Sequence, residues 1–199
     1  EPFGLLAKIF CLGMASCIPA GLLEAAAELP IALLEPGPIV ASALTYLVAV
    51  PLAEEGCKYV MLRTTHDNPA FDYTFDGVVY GTMVGLGFAT LENTNYLISS
   101  DIGDTLHLMI RGFSTGVMHV ICGAIVATVL QGMWNSLYFR VIATLGVLCV
   151  TITFHGIYNI LVNQQGIAAD IGYALPVLIG MGTILVRRKQ HSSEPEEGM

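Results

Sequence analysis

The sequence is poor in charge. Only 12% of its 199 residues are Asp, Glu, Lys or Arg, against about 25% in an ordinary soluble domain. Hydrophobic residues make up 54%, and the mean hydropathy is +0.68. Apolar runs near 20 residues recur along the chain, which excludes a soluble globular fold. Basic residues are scarcer still: 8 Lys and Arg stand against 16 Asp and Glu, for a formal charge of −8. No basic surface exists to hold a nucleic acid. The five cysteines, Cys11, Cys17, Cys57, Cys122 and Cys149, all lie in apolar segments without C-x-x-C spacing. They are expected to be small buried hydrophobes, and they supply no disulfide framework. A serine nucleophile elbow, a helical H-E-x-x-H and a glycine-rich phosphate loop are also missing, which removes three common routes to hydrolysis and phosphoryl transfer. The chain opens at Glu1-Pro2 with neither a methionine nor a charged n-region, as expected of a truncated or processed form.

What remains is an all-α, polytopic transmembrane bundle of about six spans. The expected spans are Phe3–Leu23, Pro38–Arg63, Asp76–Ile98, Leu106–Leu130, Leu137–Leu161 and Ile171–Val186. Breaker residues separate them, at Glu35-Pro36-Gly37-Pro38, His66-Asp67-Asn68-Pro69, Asp101-Ile102-Gly103-Asp104 and Asn163-Gln164-Gln165-Gly166. No gap holds a soluble domain, so residues 1–190 are expected to form one transmembrane domain, with an acidic disordered tail over 191–199. Lys8, Arg63, Arg140 and Arg187-Arg188-Lys189 fall on one side of a six-span arrangement. Glu24, Glu28, Glu35, Asp101, Asp104 and Asp170 fall on the other. Because positive loops stay inside, both termini of the chain are expected in the cytoplasm. Arg111 is the misfit, just inside the fourth span from the outer side, where it must snorkel outward or find an acidic partner.

Against this apolar background, Glu54-Glu55-x-x-Lys58 stands out in the second span. An ionised side chain in hydrocarbon costs at least roughly 2.5–3.5 kcal/mol, so three within five residues demand a function. On a helix Lys58 is i+4 from Glu54 and i+3 from Glu55 and can hold the pair ionised. The third span carries a small-residue ladder, Gly77, Gly81 and Gly85. Gly81, Gly85, Phe88 and Glu92 share one face, so the glycines that admit a neighbour also bring Glu92 against it. The fourth span aligns Arg111, Thr115, His119 and Gly123; the fifth places His155 and Asn159 one turn apart.

Each group also has a plainer reading. A lone membrane histidine such as His119 is often a satisfied interhelical hydrogen bonder, and Asn93, Asn95 and Asn159 serve equally as ties between helices. Three intramembrane carboxylates sharing one lysine are harder to explain that way. Two histidines, three carboxylates and an asparagine on four consecutive spans can activate water. In one version His119, His155 and Glu92 bind zinc, leaving an open position for water and Glu54 or Glu55 as base. In the other a glutamate activates water without metal, and His155 with Asn159 stabilises the oxyanion. Spacing leaves both open. Depth adds a demand: at about 1.5 Å per residue, Glu54 sits roughly 5 Å to the cytoplasmic side of its span's centre. Glu92 and His155 sit roughly 7 Å to the outer side of theirs by the same rise. Convergence requires tilt or a bend, for which Pro51 is placed, and a water-reachable cavity is expected toward the outer half.

Taken in order, Glu54-Glu55-x-x-Lys58, Phe88-x-x-x-Glu92, His119 and His155-x-x-x-Asn159 resemble the motifs of the PrsW family of intramembrane proteases. Those are distant relatives of the type II CAAX-prenyl endopeptidases and of the multi-span scaffold subunit of γ-secretase. The resemblance runs from about residue 38 to 163 and includes Asp76-Gly77-x-x-x-Gly81. CAAX endopeptidases usually carry F-x-x-x-H where this chain has Glu92, so a prenylated substrate is not expected. The resemblance implies cleavage of a membrane-anchored protein, such as the first cut in a transmembrane anti-sigma factor, in a bacterial or archaeal plasma membrane. It implies a role for Glu54, Glu55, Glu92, His119, His155 and Asn159 in catalysis, with Lys58 in support, and either a zinc ion or a metal-free glutamate. The competing readings are a proton- or cation-coupled transporter, for which no internal repeat is visible, and a non-catalytic membrane scaffold.

Overall fold

A glycine-lined contact between two long helices sets the frame. The structure, a computed structural model, describes residues 2–65, 68, 71, 74–99, 105–132 and 137–193, all but a few of them helical. In order these are α1 (Phe3–Leu33), a span made of α2 (Pro38–Ala43), a π-helical turn (Leu44–Ala49) and α3 (Val50–Thr65), then α4 (Thr74–Ser99), α5 (Thr105–Gly132), α6 (Leu137–Val162) and α7 (Ile167–Ser193). No strand occurs among the described residues. A bundle of this kind satisfies every backbone group internally, as lipid requires.

α4 and α5 pack closest. A Cβ placed on Gly77, Gly81 or Gly85 would run into the backbone of Ala127, Gly123 or His119. The expected small-residue ladder is therefore a backbone-to-backbone seam, with Gly123 meeting Gly81 in return. α1 lies on the other side of α4: Gly13 faces the backbone of Val84, and Gly87 faces that of Phe10. Ile9, Tyr80, Val84, Val126 and Leu130 form the largest apolar cluster under these contacts.

Five of the expected six spans are long and apolar enough to cross a membrane by length and composition. The exception among the described helices is α4. Its 26 residues reach about 39 Å, but its glycines, Asp76, Glu92 and Asn93 dilute its hydropathy. It can be that polar because it is enclosed, with Asp76, Tyr80, Val84, Phe88 and Ala89 all buried. The first span is longer than expected. α1 continues ten residues past Leu23, so Glu24 and Glu28 ride on a helix rather than in a loop. Pro19 and Pro30 lie inside it, and it ends before Glu35, held at φ 44° between Leu34 and Pro36. α7 likewise runs on to Ser193. Of the tail expected from 191, positions 194–199 lie outside the described residues, as do 66, 67, 69 and 101–104 of the expected loops.

Just before Pro51, where a bend was expected, the span widens into the π-helical turn. Proline has no N–H to give to a carbonyl on the preceding turn, and widening that turn is one way a helix absorbs the loss. The N–H of Val50 bonds to Thr45 O, five residues back. Gly156 of α6 closes on the backbone carbonyl of Leu47, 2.7 Å from where its Cβ would be, so α6 packs directly on the widened turn. The cysteines divide: Cys57 and Cys122 are buried, Cys17 is half-buried, and Cys11 and Cys149 are exposed on outer helix faces. The last two correct the expectation of burial; a lipid-facing surface is as apolar as a core and accepts the thiol equally well.

Candidate active site

α3 delivers three charges to the middle of the bundle. Glu54, Glu55 and Lys58 are each no more than 5% exposed. Lys58 Nζ donates to Glu55 Oε1 at 2.6 Å and to His119 Nδ1 at 2.8 Å. Its ammonium also lies 4.9 Å from the centroid of the Phe88 ring. Lys58 is thus the support the i,i+3 spacing predicts, with a second task on α5 that the spacing did not reveal.

The two histidines stand edge to face, with centroids 5.1 Å apart, and each is fixed at its Nδ1. Glu55 Oε1 can only accept, so His155 Nδ1–H donates to it across 2.8 Å. In the neutral ring this leaves a lone pair on His155 Nε2, and that atom is 3.7 Å from Glu54 Oε2. His119 is the mirror case. Its Nδ1 accepts from Lys58, so the ring proton sits on Nε2 and is donated to Glu92 Oε2 at 2.7 Å. The same Nε2 lies 3.8 Å from Glu54 Oε2.

Glu54 Oε2 therefore faces both Nε2 atoms and hydrogen-bonds to neither; it is buried without a partner. One ligand atom from each of Glu54, His119 and His155 falls within 4.8 Å of the others. Tetrahedral zinc with bonds of about 2.0–2.2 Å separates its ligands by roughly 3.4 Å, so the three need close by only a few tenths of an ångström to about 1.4 Å. An orphaned carboxylate oxygen between two imidazole nitrogens fits a metal ion, and His155, whose far nitrogen donates to Glu55, has the outer-shell partner of a metal ligand. His119, which accepts from Lys58 at Nδ1, would have to lose its Nε2 proton to join it.

All four expected helices contribute: Glu54, Glu55 and Lys58 from α3, Glu92 from α4, His119 from α5 and His155 from α6. The trio whose ligand atoms cluster contains Glu54, whereas Glu92 bonds to His119 from the side and pairs with Arg111, Nη2 to Oε1 at 3.6 Å. Arg111 thereby has the acidic partner it needed, and its guanidinium lies 3.5 Å over the Tyr96 ring. Asn159 follows His155 by one turn on α6. It lines a small polar cavity with Glu92 and Arg111, and its backbone carbonyl accepts from Asn163 Nδ2. Asn93 is a tie between helices, donating to Gly112 O at 3.0 Å. Sequence reasoning missed Tyr158 of α6, a buried phenol hydrogen-bonded to Thr115 at 2.7 Å; its apolar neighbours hid it.

A multi-span helical bundle that buries two imidazoles and two carboxylates, with a third half-buried beside them, around an unbonded carboxylate oxygen is an integral membrane protein built round a candidate water-activating metal centre. The chain belongs to the PrsW family: the family described as "PrsW family intramembrane metalloprotease" matches residues 1–186. It is 30% identical to Protease PrsW of Bacillus subtilis over 128 residues, which is 63% of this chain and 56% of that protein. To Protease PrsW of Geobacillus kaustophilus it is 31% identical over 105 residues, 51% of this chain and 43% of the relative. To that of Oceanobacillus iheyensis it is 25% identical over 203 residues, 98% of this chain and 86% of the relative. The match thus spans about half the length of the first two relatives. No solved structure matches the chain at a significant level.

Proposed function

We propose that the protein is an intramembrane endopeptidase that hydrolyses a peptide bond of a membrane-anchored protein. The observation that carries this reading is the buried, unpartnered Oε2 of Glu54 between the Nε2 atoms of His119 and His155. Zinc is the ion this donor set suits, held by Glu54, His155 and, once its Nε2 proton is displaced, His119; bound there it would acidify a water and polarise a carbonyl.

The side chains do the rest. Glu55 holds His155 in the tautomer that turns its Nε2 lone pair inward, and Lys58 fixes the ring of His119. Glu92, whose Oε2 is hydrogen-bonded to His119, is the carboxylate left to take a proton from water. Ligand and base are thus exchanged relative to the sequence expectation, with Glu54 as ligand and Glu92 as base. The same geometry supports a metal-free version in which Glu54 takes the proton itself. The family resemblance suggests a single-span anti-sigma factor as the first substrate to try, in a bacterial plasma membrane with both ends of this chain inside.

The test is cleavage of such a substrate in liposomes by wild type, Glu54→Gln, Glu92→Gln and His155→Ala, with and without a strong zinc chelator. Wild type is expected to cut and each variant to lose about 1,000-fold or more. Loss on chelation with recovery on adding zinc supports the metal, and activity that survives chelation assigns the proton transfer to Glu54 alone. Unchanged cleavage by all three variants would refute the site.

A further inference from the structure

Beside the centre lies a cavity of about 120 Å³, lined by Glu92, Tyr96, Arg111, Thr115, Tyr158 and Asn159 among others. Unlike the larger grooves on the bundle's outside, which are mostly apolar, it is polar. We propose that it is a carbonyl-binding subsite that takes one peptide C=O of the substrate, next to the bond that is cut, on Nη1 of Arg111. This deepens the protease reading and rests on it.

Three observations carry it. The first is that Arg111 Nη1 is buried and has no hydrogen-bond partner, although the rest of the guanidinium is held by Glu92 and stacked on Tyr96. A buried N–H donor with no acceptor costs stability. Arg111 lines the cavity, so a carbonyl entering it would satisfy this donor once the guanidinium shifts to expose Nη1. The second is that Glu92 lines the same space, so a second carboxylate would be repelled while a neutral carbonyl oxygen would not. The subsite therefore selects an amide carbonyl, the group that an unwound segment of substrate helix exposes. The third is position. Glu92 spans the two sites, with Oε1 toward Arg111 and Oε2 bonded to His119 Nε2. One carboxylate thus touches both the subsite and the centre. The cavity holds only a peptide unit or a few waters, so it orients backbone and does not discriminate among side chains.

Nitrogen-15 NMR of the arginine side chains in wild-type protein in micelles tests the binding directly, with the Arg111 signal assigned from its absence in Arg111→Lys. N-methylacetamide, a single peptide unit, is expected to shift that signal saturably, and acetate is expected to leave it in place. A shift with acetate alone would overturn the carbonyl assignment, and no shift with either would remove the subsite. Because this measurement needs no cleavage, it is independent of the proposed activity. In the liposome assay, Arg111→Lys should raise KM about tenfold and change kcat little. An equal fall in kcat with unchanged KM would mean that Arg111 only steadies Glu92, and would overturn the proposal.

Discussion

Lys58 and Glu55 illustrate how one buried pair can orient two imidazole rings. Lys58 Nζ bonds to both Glu55 and His119, and Glu55 in turn holds His155. Removing one partner of a buried ion pair typically costs about 3–5 kcal/mol, because the other charge is left uncompensated. Lys58→Met should therefore lower stability in detergent by that amount, measured by thermal unfolding. The double variant Lys58→Met with Glu55→Leu should regain most of the stability while remaining inactive. Glu55→Gln keeps an acceptor for His155 Nδ1 and loses the charge. Losing an outer-shell partner of this kind costs roughly 10–100-fold in metal affinity or activity, so a drop of that order in cleavage is the expected result, together with a loss of stability of about 3–5 kcal/mol because Lys58 is left without its counter-ion. Activity equal to wild type in Glu55→Gln would mean that the charge of Glu55 is not needed.

At the scale of the helices, the α4–α5 seam is the part that positions chemistry. Gly85 abuts the backbone of His119 itself, and Phe88 and Glu92 follow on the same face. Gly81→Leu or Gly85→Leu would drive a side chain into backbone that cannot retreat. Overpacking of this kind costs typically about 1–3 kcal/mol, and here the neighbour is main chain. Both variants should melt lower, and Gly85→Leu should also abolish activity by displacing His119. Gly4→Ala, where nothing lies within 4 Å, is the control and should change neither. The glycine ladder, the four-helix convergence and an irregularity near Pro51 were legible in the sequence, because helical spacing fixes which residues share a face and an intramembrane charge must have a reason. The exchange of Glu54 for Glu92 in the clustered trio was not. Glu54, Glu92, His119 and His155 sit on separate helices, and the rotation of each helix about its axis decides which carboxylate oxygen points inward. The length of α1 was hidden for a related reason: Glu24 and Glu28 read as loop residues, although a helix can carry them past its apolar stretch.

For the molecule as a whole, the polar cavity gathers the end of α4, the start of α5, the end of α6 and the start of α7 through Tyr96, Arg111, Asn163 and Tyr173. These are the ends that a topology with both termini inside places toward the outer face, where a water-reachable opening was expected. On a background with the five native cysteines replaced, Asn163→Cys should be labelled by a membrane-impermeant thiol reagent added outside intact cells. Labelling only after the inner face is opened would reverse the orientation. The central claim is that Glu54, His119 and His155 work as one centre, and residues that act as a unit are grossly non-additive. The direct measurement is the cleavage rate of a single-span substrate in liposomes by Glu54→Gln, His155→Ala and the double variant. The account predicts that each single variant loses about 1,000-fold or more, an effect of the size seen when one member of a catalytic unit is removed, and that the double loses little beyond that. Losses that multiply in the double variant, or a single variant that cleaves like wild type, would contradict it.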